Sequence, residues 1–286
     1  MPNDSRSLPY VDVDSLVHPK ETIYFTICVV VAIALYFVLV RLVLLGPPIG
    51  DTVLTYTVMI VVGYFVLHGI MIGRIRGNGV RVSERQFPEL MKMAEAHARR
   101  LGMADTPEMF VLQSGGMLNA FADRFLGRNF VILYSDVLAL ATQKGEKAVS
   151  FVVGHELGHV RRRHMTRRAL LYPAMIFPFL GSAYSRACEY TCDRVGNALE
   201  PDGSIDGLLV LAAGRDLYTQ VDAAEYANQR STERGFFVKF AEIVSTHPNL
   251  TKRVAVLGAS RPRQGVALGT GAPSPQLRET VSAGGL

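Results

Sequence analysis

The sequence has no tryptophan among its 286 residues, only three cysteines and seven histidines, and charged side chains make up just 19% of it. Each scarcity narrows what the chain can be. Three cysteines cannot build a disulfide framework: Cys28 lies in an apolar run, and Cys188 and Cys192 are one helical turn apart, so reduced thiols are expected. Without tryptophan, an aromatic belt at a membrane interface falls to tyrosine. The chain carries no basic motif interleaved with aromatics, and its formal net charge is a modest +5, much of it beside apolar segments. Nucleic acid is therefore not an expected partner, whereas anionic lipid is. The first 20 residues show no basic stretch feeding a short apolar core, so a cleavable signal peptide is not expected.

What the chain has in quantity is apolar residues, 49% of the total, concentrated in two runs near its start. Ile23 to Leu45 and Thr52 to Ile72 each reach the length of about 20 residues that crosses a hydrocarbon core of about 30 Å. Gly46-Pro47-Pro48-Ile49-Gly50-Asp51 turns the chain between them. The expected order is a polar segment over 1–20, a transmembrane hairpin over 21–73, a folded domain over 80–258 and a disordered tail over 259–286, rich in Gly, Pro, Ser and Ala. Arg74, Arg76, Arg81 and Arg85 follow the second run, while the turn between the runs offers only Arg41 at its edge and Asp51. The positive-inside rule then puts both termini and the domain in the cytoplasm, with a bacterial inner membrane as the expected home. His68, near the end of the second run, is expected as a neutral interfacial side chain.

Within the domain, Glu108 to Gln113, Met117 to Asp123 and Asn129 to Tyr134 read as short strands, separated by Ser114-Gly115-Gly116 and by Gly127-Arg128. They lead into Gly145 to Arg168, the stretch that holds His155-Glu156-Leu157-Gly158-His159. Read as a helix, it puts Ala148, Phe151, Val152, His155 and His159 on one apolar face. Two imidazoles one turn apart can grip one metal ion, and Zn²⁺ suits them, accepting imidazole nitrogen at roughly 2.0–2.1 Å and keeping a position for water in catalytic sites. Glu156 would stand beside that water, placed to take its proton.

Such a site needs a third ligand. Arg161, Arg162, Arg163, Arg167 and Arg168 follow, as a solvated helix end or a lipid-headgroup contact, and then an apolar run over 169–181 containing Pro173 and Pro178. About 13 residues are too few to span a bilayer, so this run is expected to be re-entrant, interfacial or buried. Beyond it, Glu189 and Asp193 are one helical turn apart: Glu189 can complete the metal site and Asp193 can accept a ring N–H from a ligating histidine. Cys188 and Cys192 form a rival pair of ligands pointing about 100° away around the helix, with the small buried hydrophobe as the preferred reading. Ile205 to Gln220 and Gly235 to Ser245 look helical, and Ser231-Thr232-Glu233 resembles a helix start.

Three motifs in order, His155-Glu156-Leu157-Gly158-His159, Ser185-Arg186-x-x-Glu189-x-x-x-Asp193 and Ser245-Thr246-His247-Pro248, carry a family resemblance that runs from about Phe87 to Leu257. The sequence resembles the membrane-associated zinc metalloproteases that include HtpX and the CAAX prenyl proteases. The resemblance implies a gluzincin fold, mainly α with a small β-sheet, one zinc ion per chain, and peptide-bond hydrolysis. It implies His155, His159 and Glu189 as zinc ligands and Glu156 as general base. It also implies that Asn119-Ala120-Phe121 is the substrate-side edge strand, and that His247 or Arg253 stabilises the oxyanion. The apolar run between the second histidine and Glu189 is shorter than in HtpX-like enzymes, and the chain lacks the further spans of the prenyl proteases. The expectation is a membrane-anchored zinc endopeptidase of the HtpX-like type acting on unfolded or membrane-associated polypeptides. The alternatives are a non-catalytic, zinc-stabilised membrane scaffold and a CAAX-type prenyl-peptide protease.

Overall fold

The computed structural model describes residues 9–113, 120–140 and 145–260. Asn119, residues 117–118 of the expected strand and most of the expected tail lie outside them; Ala259 and Ser260 close the last helix.

Two long helices come first, α1 (Pro19–Val43) and α2 (Ile49–Asn78), both long and apolar enough to cross a membrane. Pro19 opens α1, where a missing N–H costs nothing, and the His18 ring accepts from the Lys20 N–H. Apolar side chains stand exposed all round the pair, among them Val30, Ile33, Phe37, Val58, Ile60 and Leu67. A helix apolar on every face buries itself in protein or in lipid. Before α1, the segment expected only as polar docks on the domain: Val13 is buried and the Val11 N–H donates to the Arg100 carbonyl at 2.8 Å.

The domain begins with β1 (Val80–Arg81) and α3 (Pro88–Arg100), followed by β2 (Glu108–Leu112), β3 (Ala120–Phe125) and β4 (Arg128–Tyr134). The sheet runs β1-β2-β4-β3, with β2 and β4 parallel and the outer pairs antiparallel, so β3 is an edge strand. Leu126 and Gly127 join β3 to β4 with φ of 47° and 81°, the positive values that a two-residue hairpin turn demands. Then come α4 (Ser135–Ala139), α5 (Glu146–Arg161), α6 (His164–Leu170), α7 (Tyr172–Met175), α8 (Pro178–Leu199), α9 (Ser204–Ala213), α10 (Ala223–Thr232), α11 (Phe236–Val244) and α12 (Leu250–Ser260).

At the centre α5 lies against α8, because glycines let the backbones approach. A Cβ on Gly154 would sit 2.9 Å from Leu199, and one on Gly158 would sit 3.3 Å from both Cys192 and Val195. Phe151, Val153, Leu157, Val195 and Leu208 fill the seam. Two helix readings change. Gly214, at φ 84°, ends α9 well short of Gln220, and Ser231-Thr232-Glu233 falls at the end of α10, whose true cap is Asp222, accepting from the Ala224 and Glu225 N–H groups. The 169–181 run is split over three helices, and its Leu171 and Ala174 pack on Cys28 and Ala32 of α1. Its Leu170, Tyr172, Ile176, Phe177 and Phe179 face outward.

The α5–α8 seam leaves no room for another carbon. A Cβ on Gly196 would meet the Phe151 ring at 2.9 Å and its carbonyl oxygen at 3.0 Å, so Gly196→Val should cost about 1–3 kcal/mol by overpacking. Gly63→Ala on α2, where a Cβ meets nothing within 4 Å, should leave stability within about 0.5 kcal/mol. Thermal melts of the detergent-solubilised chain compare the two.

Candidate metal centre

His155 and His159, one turn apart on α5, have ring centroids 5.1 Å apart. The crossing of α8 brings Glu189 between them: Oε2 lies 3.4 Å from His155 Nε2, and Oε1 lies 3.3 Å from His159 Nε2. One candidate ligand atom from each of the three residues lies within 4.8 Å of the others, close enough for a single metal ion to touch two imidazole nitrogens and a carboxylate oxygen. All three side chains are buried. Burial alone would push the Glu189 carboxyl up, but the two imidazoles hold it well below the usual carboxylate range.

Each histidine is held from behind as well. His155 Nδ1 donates to Asp193 Oδ1 at 3.0 Å, and Asp193 is clamped by Arg253, whose Nε and Nη2 donate to it at 2.8 and 2.6 Å. Burial works against the Asp193 charge, yet Arg253 keeps its pKa low. His159 Nδ1 lies 3.0 Å from His164 Nδ1, and His164 Nε2 lies 3.3 Å from Oε1 of Glu21, in the first turn of α1. Burial pushes His164 down to about 4, outweighing its hydrogen bond to Glu21, so the ring is neutral.

Two further clusters could in principle hold a metal, His159/His164/Cys192 and Glu21/His164/Cys188. Burial raises both thiols well above their ordinary pKa, and neither His164, Glu21 nor either cysteine lines the adjoining cleft. All three cysteines are free and buried.

The cleft that His155, His159 and Glu189 do line has a volume of about 360 Å³. Glu156, His247 and Arg253 line it too, with Ala120, Phe121, Ala122 and Asp123 of edge strand β3 and Met71 of α2. His247 is exposed, its Nε2 3.6 Å from Glu189 Oε1. Its loop is fixed by Arg186, which donates to the carbonyls of Glu242, Ile243 and Ser245. Arg253 Nη1 lies 3.6 Å from Glu189 Oε2. His68, expected at an interface, pairs with Asp123 of β3 at 3.0 Å. The arginines after His159 are largely committed: Arg162 and Arg167 donate to Glu21, Arg161 to the Leu101 carbonyl and Arg168 to Ser185. Sequence reasoning missed Glu21 and His164. Their signals were slight: one acid at the head of an apolar run, and a third histidine five residues past the second.

A two-histidine helix with a glutamate between its rings, beside a cleft edged by a β-strand, is the arrangement of a metallopeptidase. The chain belongs to peptidase family M48, whose model matches residues 84–180 and 168–261. No curated protein and no solved structure matches it.

The charges set a pH dependence. Without metal, burial would lower the pKa of His155, but Asp193 and Glu189 outweigh it and raise it to about 10. Protonated His155 therefore stabilises the metal-free fold, fully so below its unfolded value of about 6.5, and that contribution is lost as pH rises through about 10. A metal ion must displace this proton, so its apparent affinity should rise up to about tenfold per pH unit. The Tm gap between metal-loaded and chelator-stripped protein is expected to widen from about pH 6 to about pH 8.5; a constant gap would mean that no proton is exchanged.

Proposed function

We propose that the protein is a membrane-anchored zinc endopeptidase that hydrolyses peptide bonds in unfolded or membrane-associated proteins. The observation that carries this reading is the buried His155/His159/Glu189 cluster, whose candidate ligand atoms lie within 4.8 Å of one another, at the wall of a cleft bounded by an edge strand. In it, His155 and His159 give their Nε2 atoms and Glu189 a carboxylate oxygen to zinc. Bound there, zinc supplies Lewis acidity to the scissile carbonyl and lowers the pKa of its water toward about 7.

Glu156 follows His155 on α5 and lines the cleft; it takes the proton of the attacking water and passes it to the leaving amine. Asp193, held by Arg253, keeps the His155 N–H on Nδ1 and so leaves Nε2 as a donor to the metal. Arg253 Nη1 and the exposed His247 ring, each 3.6 Å from Glu189, face the negative charge that develops on the peptide oxygen. The substrate adds as a strand to β3 along Ala120 and Phe121.

The exposed apolar surface of α1 and α2 supports their role as a membrane hairpin. Arg74 and Arg76, at the domain end of α2, support a cytoplasmic domain. The outward Leu170, Tyr172, Ile176, Phe177 and Phe179, on a segment packed against α1, support an interfacial seat for the 169–181 run. Among the described residues no third helix is long and apolar enough to cross a membrane.

The test is Glu156→Gln in the full chain. It should lower casein cleavage by at least about 100-fold while zinc content by metal analysis stays at one per chain. Chelator should abolish the parent activity and added zinc restore it. Activity indifferent to both the substitution and the chelator would sink the mechanism.

A further inference from the structure

We propose that Glu21, on the first apolar helix, is a positioning residue for the metal site: through His164 it fixes which ring nitrogen of His159 is free to bind metal. The inference rests on the zinc reading of His159 given above.

With metal on Nε2 of His159, the hydrogen bonds leave one consistent assignment of protons. Glu21 is 1% exposed, and everything around it donates: Arg162 Nη2 at 3.0 Å and Arg167 Nη1 at 3.2 Å onto Oε1, and the Thr191 hydroxyl onto Oε2. A carboxylate so placed accepts from His164 Nε2, 3.3 Å away, so that nitrogen carries the ring's hydrogen. Its Nδ1 is then the nitrogen turned to the metal side, with the Cys192 thiol 3.7 Å away. Facing it at 3.0 Å is His159 Nδ1, and two nitrogens at that distance share a hydrogen bond only if one of them has the proton. A metal on His159 Nε2, the atom 3.3 Å from Glu189, leaves that ring's hydrogen on Nδ1, so His164 Nδ1 must be the acceptor, and the bond to Glu21 secures this by holding the His164 hydrogen on Nε2. Reverse the first bond and the last is reversed with it: a hydrogen on His164 Nδ1 would force the His159 proton onto Nε2 and block the metal position.

Local backbone makes the contact possible. In an unbroken helix, His164 would lie five residues and about 140° around from His159. Arg163 has φ 55°, which ends α5 and starts α6 in a new direction, turning His164 back against His159. Thr191 ties the far end, since its hydroxyl also accepts the His18 N–H just before α1. The first apolar helix is thereby joined to the metal site by two consecutive hydrogen bonds among buried groups, Glu21–His164 and His164–His159, an arrangement parallel to Arg253–Asp193–His155 on the other ligand.

The experiment measures zinc affinity of the full-length chain in detergent by competition with a chromophoric chelator, for the parent, Glu21→Gln, His164→Phe and the double variant. The Tm of each metal-free protein reports folding. Losing an outer partner of a ligating histidine typically weakens metal binding about 10–100-fold, and each single variant should do so. The double variant should be no weaker than His164→Phe alone, because the effect of Glu21 travels through His164. The d–d spectrum of the cobalt-substituted Glu21→Gln protein should shift, which a loss of general stability would not produce. If Glu21→Gln fails to fold, Glu21→Asp takes its place, keeping the charge for Arg162 and Arg167 while drawing the carboxylate back from His164. Parent-like zinc affinity in the single variants overturns the inference and leaves the proposed function standing, as do effects that multiply in the double variant. A parent that binds no zinc overturns the proposed function, and this inference with it.

Discussion

A carboxylate buried between two imidazoles is the constraint on which the rest of the structure depends. Glu189 lies 3.3–3.4 Å from the Nε2 atoms of His155 and His159 only because α8 crosses α5 at close range. That approach needs Gly154, Gly158 and Gly196 where the helices touch, and a seam of Phe151, Leu157 and Val195 to hold them there. Three polar groups removed from water must satisfy one another or bind an ion, since an unpaired buried charge costs several kcal/mol. The cluster thus joins the packing of the domain to its chemistry.

A second layer keeps the first in register. Asp193 sits one turn beyond Glu189, so the same helix that delivers the carboxylate to both histidines also delivers the outer partner of His155. Arg253, from α12 near the end of the described chain, neutralises that layer, and the Ser245–Asn249 loop brings His247 to the open side. The cleft is finished by β3, the edge of a small mixed sheet whose hairpin turn packs toward α2: the Phe125 ring lies tilted against Phe65 and Asp123 meets His68. Helix, sheet and apolar hairpin converge on one opening.

The apolar hairpin is also less separate from the domain than a simple anchor would be. Leu171, Ala174, Tyr184 and Cys188 form a core with Cys28 and Ala32 of α1, and Glu21 gathers Arg162, Arg167, His164 and Thr191 around its carboxylate. Charged groups at the head of an apolar helix are costly to bury unless each finds a partner. Here the partners come from the helices on either side of the metal cluster, so the seating of α1 and the geometry of the site are set by the same contacts.

The sequence by itself determined whatever depends on periodicity and local chemistry. His-Glu-x-x-His can put two imidazoles on one face only as a helix, two long apolar runs joined by a Gly-Pro turn can pair only as a hairpin, and Glu189 with Asp193 repeats the one-turn spacing. The family and the mainly helical class followed from those motifs in order. Long-range contacts were not legible, since no local pattern encodes them. The Val11 and Val13 side chains docked on the domain, the division of the 169–181 run into three helices, and the end of α9 at Gly214 each depend on tertiary packing or on a single backbone φ. Arginines that read as a solvated helix end face inward because a carboxylate 141 residues earlier lies beside them. Only the folded chain could bring Glu21 to His164, because a hydrogen bond between groups so distant in sequence exists through the close packing of α1, α6 and α8 and through nothing in the residues near either partner.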